Sequence, residues 1–126
     1  MRVLQEAPSY SEIQHKIKLA KEAISKSNFS ILKPKVVTSD ALGLGILIEE
    51  LNPLLIDLLN EIRPGHYAGT YPPQRSYEEE IFRSELFAFR WESKRLGCLT
   101  YLKFTLRENR LWLISIHRDR VDPKGR

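Results

Sequence analysis

The sequence holds one cysteine, Cys98. That excludes an internal disulfide framework and a cysteine-based zinc site, and it fits a reducing, cytoplasmic setting. Three histidines, His15, His66 and His117, are scattered without the close spacing of a metal site, so neither a metal nor another cofactor is expected. With 6 glycines and 7 prolines the chain has too little of either for a collagenous or low-complexity segment. Nor does it contain a long uninterrupted apolar run. The most apolar tract, residues 41–62, is broken by Glu49, Glu50, Asn52, Pro53, Asp57 and Glu61, which predicts no membrane span. The opening Met1-Arg2-Val3-Leu4-Gln5-Glu6 has no apolar core of a secretory signal. What is present is 126 residues, 42% hydrophobic and 29% charged, enough for one domain over 1–126 with its own core.

The formal net charge is +4. Residues 1–63 are balanced, with 8 basic and 8 acidic side chains, and residues 64–126 carry the excess, 12 against 8. The basic residue type changes as well. The first half uses 6 lysines and 2 arginines, the second 3 lysines and 9 arginines. Arginine's planar fork matches phosphate and carboxylate, so the second half points to a polyanion or an acidic protein partner, unless it is simply a solvated arginine-rich surface.

Ser9 followed by Glu12 reads as a capping box, and Ile13, Ile17, Ala20 and Ile24 recur at helical spacing. This predicts an amphipathic helix over 9–26 with solvated lysines on its outer face. Residues 29–37 read as a connector or edge strand, because Pro34 falls in their middle. Thr38-Ser39-Asp40 offers a cap for a second helix toward Glu50, weakened by Gly43 and Gly45. Asn52-Pro53 opens a third, with Leu54, Leu55, Leu58, Leu59 and Ile62 as its apolar stripe, ending at Arg63 before Pro64-Gly65. Residues 66–75 lack helical period, and 76–81 fit a single helical turn. Thereafter the period becomes two. Strands are predicted over 85–91, 98–107 and 111–117, with a turn over 93–97 and a polar tail from Arg118. Helices over 9–63 followed by an antiparallel sheet over 85–117 make an α+β fold, N-terminal helices packed on a small C-terminal sheet.

The last two strands form a hairpin around Glu108-Asn109-Arg110. A two-residue loop would pair Lys103 with Ile114, mixing polar and apolar. A three-residue loop pairs Leu106 with Trp112, Phe104 with Ile114 and Leu102 with Ile116, giving one buried face. The opposite face then holds Tyr101, Lys103, Thr105, Arg107, Ser115 and His117, with Arg90 beside them. Such a face is the ordinary solvated side of an antiparallel sheet. It also supplies what RNA cleavage needs: a base for the 2′-hydroxyl, cations for the phosphate charge, and an acid for the leaving 5′-oxygen. Phe87, Phe89 and Trp91 read as a stripe under the helices, with base stacking as the alternative. Gly43-Leu44-Gly45 and His117-Arg118-Asp119 match fragments of dinucleotide and kinase motifs in letters only.

Trp91, Gly97, Tyr101-Leu102-Lys103-Phe104 and the closing Leu113-Ile114-Ser115-Ile116-His117 resemble the end of the MqsR family of toxins, RelE-like mRNA interferases of type II toxin–antitoxin systems. Asp40-Ala41-Leu42-Gly43-Leu44 is similar to a short helix end found there. The resemblance covers roughly residues 38–117. It implies a metal-independent endoribonuclease that acts on mRNA, on or off the ribosome, and is held by a cognate protein antitoxin. Tyr101 falls on the family's catalytic tyrosine. His117 falls on its terminal catalytic lysine, Ala88 near its catalytic glutamine, and residues 66–71 offer no counterpart to its earlier lysine. The expectation is therefore that Tyr101 and His117 move protons while Lys103 and Arg90 stabilise phosphate charge. Arg75 and Arg107, with His66 and Tyr71, contact the RNA backbone. A degenerate domain that binds RNA or protein without cleavage is the alternative, and a small-molecule domain with an apolar pocket a third.

Overall fold

The computed structural model describes residues 10–70 and 72–119. In chain order it contains α1 (Tyr10–Ser25), β1 (Phe29–Ile31), α2 (Pro34–Gly43), α3 (Leu51–Glu61), β2 (Phe87–Ser93), β3 (Cys98–Arg107) and β4 (Arg110–Arg118). The result is an α+β fold with helices packed on a small sheet. Among the described residues, no helix is long and apolar enough to cross a membrane. The proposed Ser9 cap lies outside the described residues.

The helices form in the expected order, and α2 and α3 each shift at both ends. Pro34 does not interrupt a strand. It is the first residue of α2, where its missing N–H costs nothing, and Lys33 turns the chain into the helix in a left-handed conformation, φ 54°. The second helix thus begins four residues before its expected cap at Thr38 and stops at Gly43. There the N–H groups of Leu44 and Ile46 both reach the carbonyl of Ala41, and Gly45 takes φ 77°. α3 begins at Leu51, directly after a 3-10 turn over Ile48–Glu50, so Pro53 occupies its first turn and Asn52 is not the cap. It ends at Glu61, two residues before the expected Arg63.

The sheet order is β1-β4-β3-β2. β2, β3 and β4 are antiparallel as expected, but β1 adds a parallel strand on β4, pairing Phe29 with Leu111 and Ile31 with Leu113. The sheet is therefore mixed. One face packs on the helices. Ile13, Ile17 and Ile24 of α1, Val37 and Ala41 of α2, and Leu54, Leu55, Leu58 and Leu59 of α3 meet Phe87, Phe89, Trp91, Leu102, Phe104, Leu111, Leu113 and Ile116. Phe89 stacks on Phe104 with ring centroids 5.8 Å apart. The aromatic stripe of β2 is thus core.

The β3–β4 hairpin corrects the expected loop. It turns on two residues, Glu108 and Asn109, both at positive φ, and pairs Arg107 with Arg110. That is the two-residue geometry whose twist suits a hairpin. Continued unchanged, this register would push Ile116 to the far face. A β-bulge between Lys103 and Phe104 on one side and Leu113 and Ser115 on the other absorbs Ile114. Beyond it the pairs Lys103–Ser115, Leu102–Ile116 and Tyr101–His117 stand as a three-residue loop would have set them. Near the turn the faces are exchanged: Leu111 and Leu113 are core, while Trp112 and Ile114 are half-buried rather than core.

The far face is not open throughout. Residues 74–86 cross it as a strap. The strap is closed on itself by Leu86 N–H to the Gln74 carbonyl, Ser76 N–H to the Ser84 carbonyl and Arg83 N–H to the Ser76 carbonyl. Its Ile81, inside a 3-10 turn (Glu79–Ile81), is fully buried. A cavity of about 210 Å³ beneath it is lined by Leu32, Ile81, Leu86, Ile114 and Lys103, among others.

Candidate functional site

Beyond the strap one transverse row of the sheet carries an arginine, a tyrosine and a histidine. Arg90 on β2 pairs with Tyr101 on β3, and Tyr101 pairs with His117 on β4. Alternation places all three side chains on the face away from the helices. The Tyr101 and His117 rings stack, with centroids 5.0 Å apart and planes inclined by 23°. From the other side the Arg90 guanidinium stands 5.8 Å from the Tyr101 ring centre. The row therefore forms a layer of cation, phenol and imidazole.

The protonation chemistry follows from the surroundings. Burial pushes the Tyr101 phenol upward, the Arg90 guanidinium pulls it down and the Asp119 carboxylate raises it; the net direction is up. Tyr101 thus keeps its proton at neutral pH and is suited to donate it. His117 Nδ1 lies 3.0 Å from the Arg118 carbonyl oxygen. A carbonyl can only accept, so in the neutral ring Nδ1 carries the proton and Nε2 presents a lone pair. A donor and an acceptor are thereby stacked side by side.

Lys103 is on the same face, in the next row, between Ala88 and Ser115. It stands at the boundary where the strap begins, lining the cavity under Ile81. Tyr101, Lys103, His117 and Arg90 are thus brought together by the sheet. Arg75, Arg107 and His66, expected to contact RNA, are not. Arg107 donates to the Phe82 carbonyl and the Ser84 hydroxyl, both at 3.2 Å. Arg75 donates to the Arg83 carbonyl at 3.0 Å and sits 3.8 Å from the Glu85 carboxylate. Both guanidiniums fasten the strap. His66 occupies the turn after α3, where its Nδ1 accepts the Arg63 N–H at 2.9 Å. Tyr71 lies outside the described residues. Thr105, expected on the exposed face, is 0% exposed, and its hydroxyl donates to the Glu85 carbonyl.

Two participants escape sequence reading. Asp119 falls in the segment read as a polar tail, yet its N–H donates to the Leu99 carbonyl at 2.9 Å, extending the ladder past β4. Its carboxylate pairs with Nε of Arg90. The strap has no period to betray it. Its one legible signal is chemical: Ala88 and Thr105 are small and uncharged at positions on the same side of their strands as Arg90 and Tyr101, which fits a covered patch on that side. No protein-family model matches the chain, and no curated protein matches it.

Proposed function

We propose that this protein is a metal-independent endoribonuclease acting on mRNA, of the MqsR and RelE kind, restrained by a protein antitoxin that covers the Tyr101 face. The single observation that supports this most is the Arg90–Tyr101–His117 row, where an acid, a base and a cation share one strip of sheet. In this reading His117 Nε2 takes the proton of a ribose 2′-hydroxyl. The 2′-oxygen attacks phosphorus, Arg90 and Lys103 offset the charge on the phosphoryl oxygens, and the Tyr101 phenol protonates the departing 5′-oxygen. The products are a 2′,3′-cyclic phosphate and a 5′-hydroxyl end. The cations are side chains, so the reaction proceeds in EDTA.

A second reading, a domain of this kind that binds RNA or a partner protein without cutting, draws on the commitment of Arg75 and Arg107 to the strap. The deciding experiment is incubation of the purified protein with a long single-stranded RNA in EDTA, with and without ribosomes, and analysis of fragment ends. The nuclease gives 2′,3′-cyclic or 3′-phosphate termini. His117→Ala and Tyr101→Phe each slow it by ~10²–10⁴, the range for a lost general acid or base, with RNA affinity nearly kept. Lys103→Ala lowers rate and affinity together and flattens the salt dependence by about one phosphate contact. RNA that is bound and left intact under both conditions establishes the binding domain instead.

A further inference from the structure

The guanidinium of Arg90 is held in an informative way. Its Nε–H is taken by the Asp119 carboxylate, and among the described residues neither Nη atom has a hydrogen bond or ion pair. The two partners differ in exposure. The Arg90 side chain is 51% exposed, while that of Asp119 is 13% exposed. Asp119 is not a swinging surface carboxylate, because its own N–H is tied to the Leu99 carbonyl on β3. The Arg90 anchor is therefore fixed to the sheet, and it approaches from the buried side.

Arginine presents two parallel N–H bonds to a phosphate at a lower ordering cost where the plane of its fork is already fixed. A long side chain at a half-exposed position does not hold a plane by itself, since its rotamer freedom is large. We propose that Asp119 is the positioning residue of this site: it grips Arg90 by Nε, fixes the guanidinium over Tyr101, and leaves the Nη1–Nη2 edge to receive two oxygens of the scissile RNA phosphate. The inference rests on the nuclease reading for its substrate, and on the Arg90–Asp119 contact for its geometry. Asp119 does not touch the reacting atoms. Its contribution is orientation, so it belongs in turnover more than in binding.

The competing role for Asp119 is that of an occupant, its carboxylate standing where the phosphate should go. The two roles give opposite signs. Under positioning, Asp119→Ala lowers kcat by about 10–100-fold with KM within about 3-fold, the scale of a slightly misplaced reacting group. Asp119→Asn keeps an oxygen that can accept the Nε–H and recovers most of the loss. Arg90→Ala combined with Asp119→Ala is no slower than Arg90→Ala alone, because Asp119 acts only through Arg90. An increase in rate or RNA affinity in both Asp119 variants makes the carboxylate a blocker and overturns the proposal. Strictly additive losses make it a fold contact and overturn it equally.

A readout that does not need catalysis separates this inference from the nuclease reading. In nitrogen-15 NMR of the whole protein, the Arg90 Nε–H gives a resolved, slowly exchanging signal, assigned by its loss in Arg90→Lys. Asp119→Ala abolishes that signal and Asp119→Asn retains it. If the signal behaves so while no RNA is cut, the nuclease reading fails and the hold of Asp119 on Arg90 stands without it. If the signal is unchanged in Asp119→Ala, Asp119 does not hold Arg90, whatever the activity.

Discussion

Removing the Glu61 carboxylate should destabilise the protein by an amount the structure lets us estimate. Glu61 is the last residue of α3, and its carboxylate collects three donors from the end of β2 and the following turn. They are the Trp91 indole N–H, the Ser93 hydroxyl and the Arg95 backbone N–H, each at 2.8 Å. Trp91 is 4% exposed and Ser93 2%, so neither donor can turn to water. Glu61→Ala orphans both. At ~1–3 kcal/mol for each buried unsatisfied group, the loss is ~2–6 kcal/mol. Glu61→Gln keeps one accepting oxygen and gives up the charge assistance, which costs ~1–2 kcal/mol. The neighbouring Asp57–Arg95 pair, more than half exposed on both sides, adds little. The pH dependence carries its own sign. Burial pushes the Glu61 carboxyl up, but the hydrogen bonds from Trp91, Ser93 and the backbone of Arg95 and Lys94 outweigh it, so the native value lies below the ordinary glutamate range. The unfolded chain then binds the proton more readily. The stabilisation is complete above the ordinary glutamate value and disappears as pH falls through the lowered native one. Urea unfolding of the native protein and Glu61→Gln should show the full gap at about pH 7 and a smaller one at about pH 3. A Gln variant with the native midpoint at neutral pH, or a gap that widens on acidification, refutes the reasoning.

Phe104→Ala, which empties a fully buried ring site between Phe87 and Phe89, should cost ~3–5 kcal/mol, and Lys103→Ala under ~1 kcal/mol; equal losses in denaturant would mean the faces are exchanged. Asn109→Gly should stabilise the hairpin by up to ~1 kcal/mol, because Asn109 holds φ 64° where glycine is unstrained, and the rise should appear as a higher denaturation midpoint. In an alkaline titration followed by tyrosinate absorbance, Tyr101→Phe should remove a component titrating above the ordinary phenol range. Arg90→Ala should push that component higher still, since Arg90 favours the phenolate.

The parts of this fold legible in the sequence are those where one face is apolar and the other polar. α1 and α3 announce themselves by their stripes, and β3 spans the predicted residues because Leu102 and Phe104 alternate with Tyr101 and Lys103. β4 is different. Leu111, Trp112, Leu113 and Ile114 are all apolar, so period two cannot say which of them faces the helices, and a one-residue bulge is invisible in such a run. The Tyr101–His117 pairing was still predictable because it lies beyond the bulge, where Ser115 and His117 restore the contrast. Lys33 and Pro34 misled for a local reason: proline marks a helix start as readily as a strand break, and only the left-handed residue before it decides. Arg75 and Arg107 looked like phosphate contacts because arginine's fork suits backbone carbonyls and hydroxyls as well as phosphates.

The parallel pairing of β1 with β4 has a kinetic side. Phe29 finds its partner Leu111 about 80 residues downstream, whereas β3 finds β4 across a two-residue turn. Closing so long a loop is entropically costly before any contact rewards it, so the first strand is expected to join last, onto a β2–β3–β4 meander already assembled. Until then Phe29-Ser30-Ile31 is an unsatisfied strand edge able to pair with another copy, which makes the interval before β1 docks the one in which this chain is most exposed to aggregation.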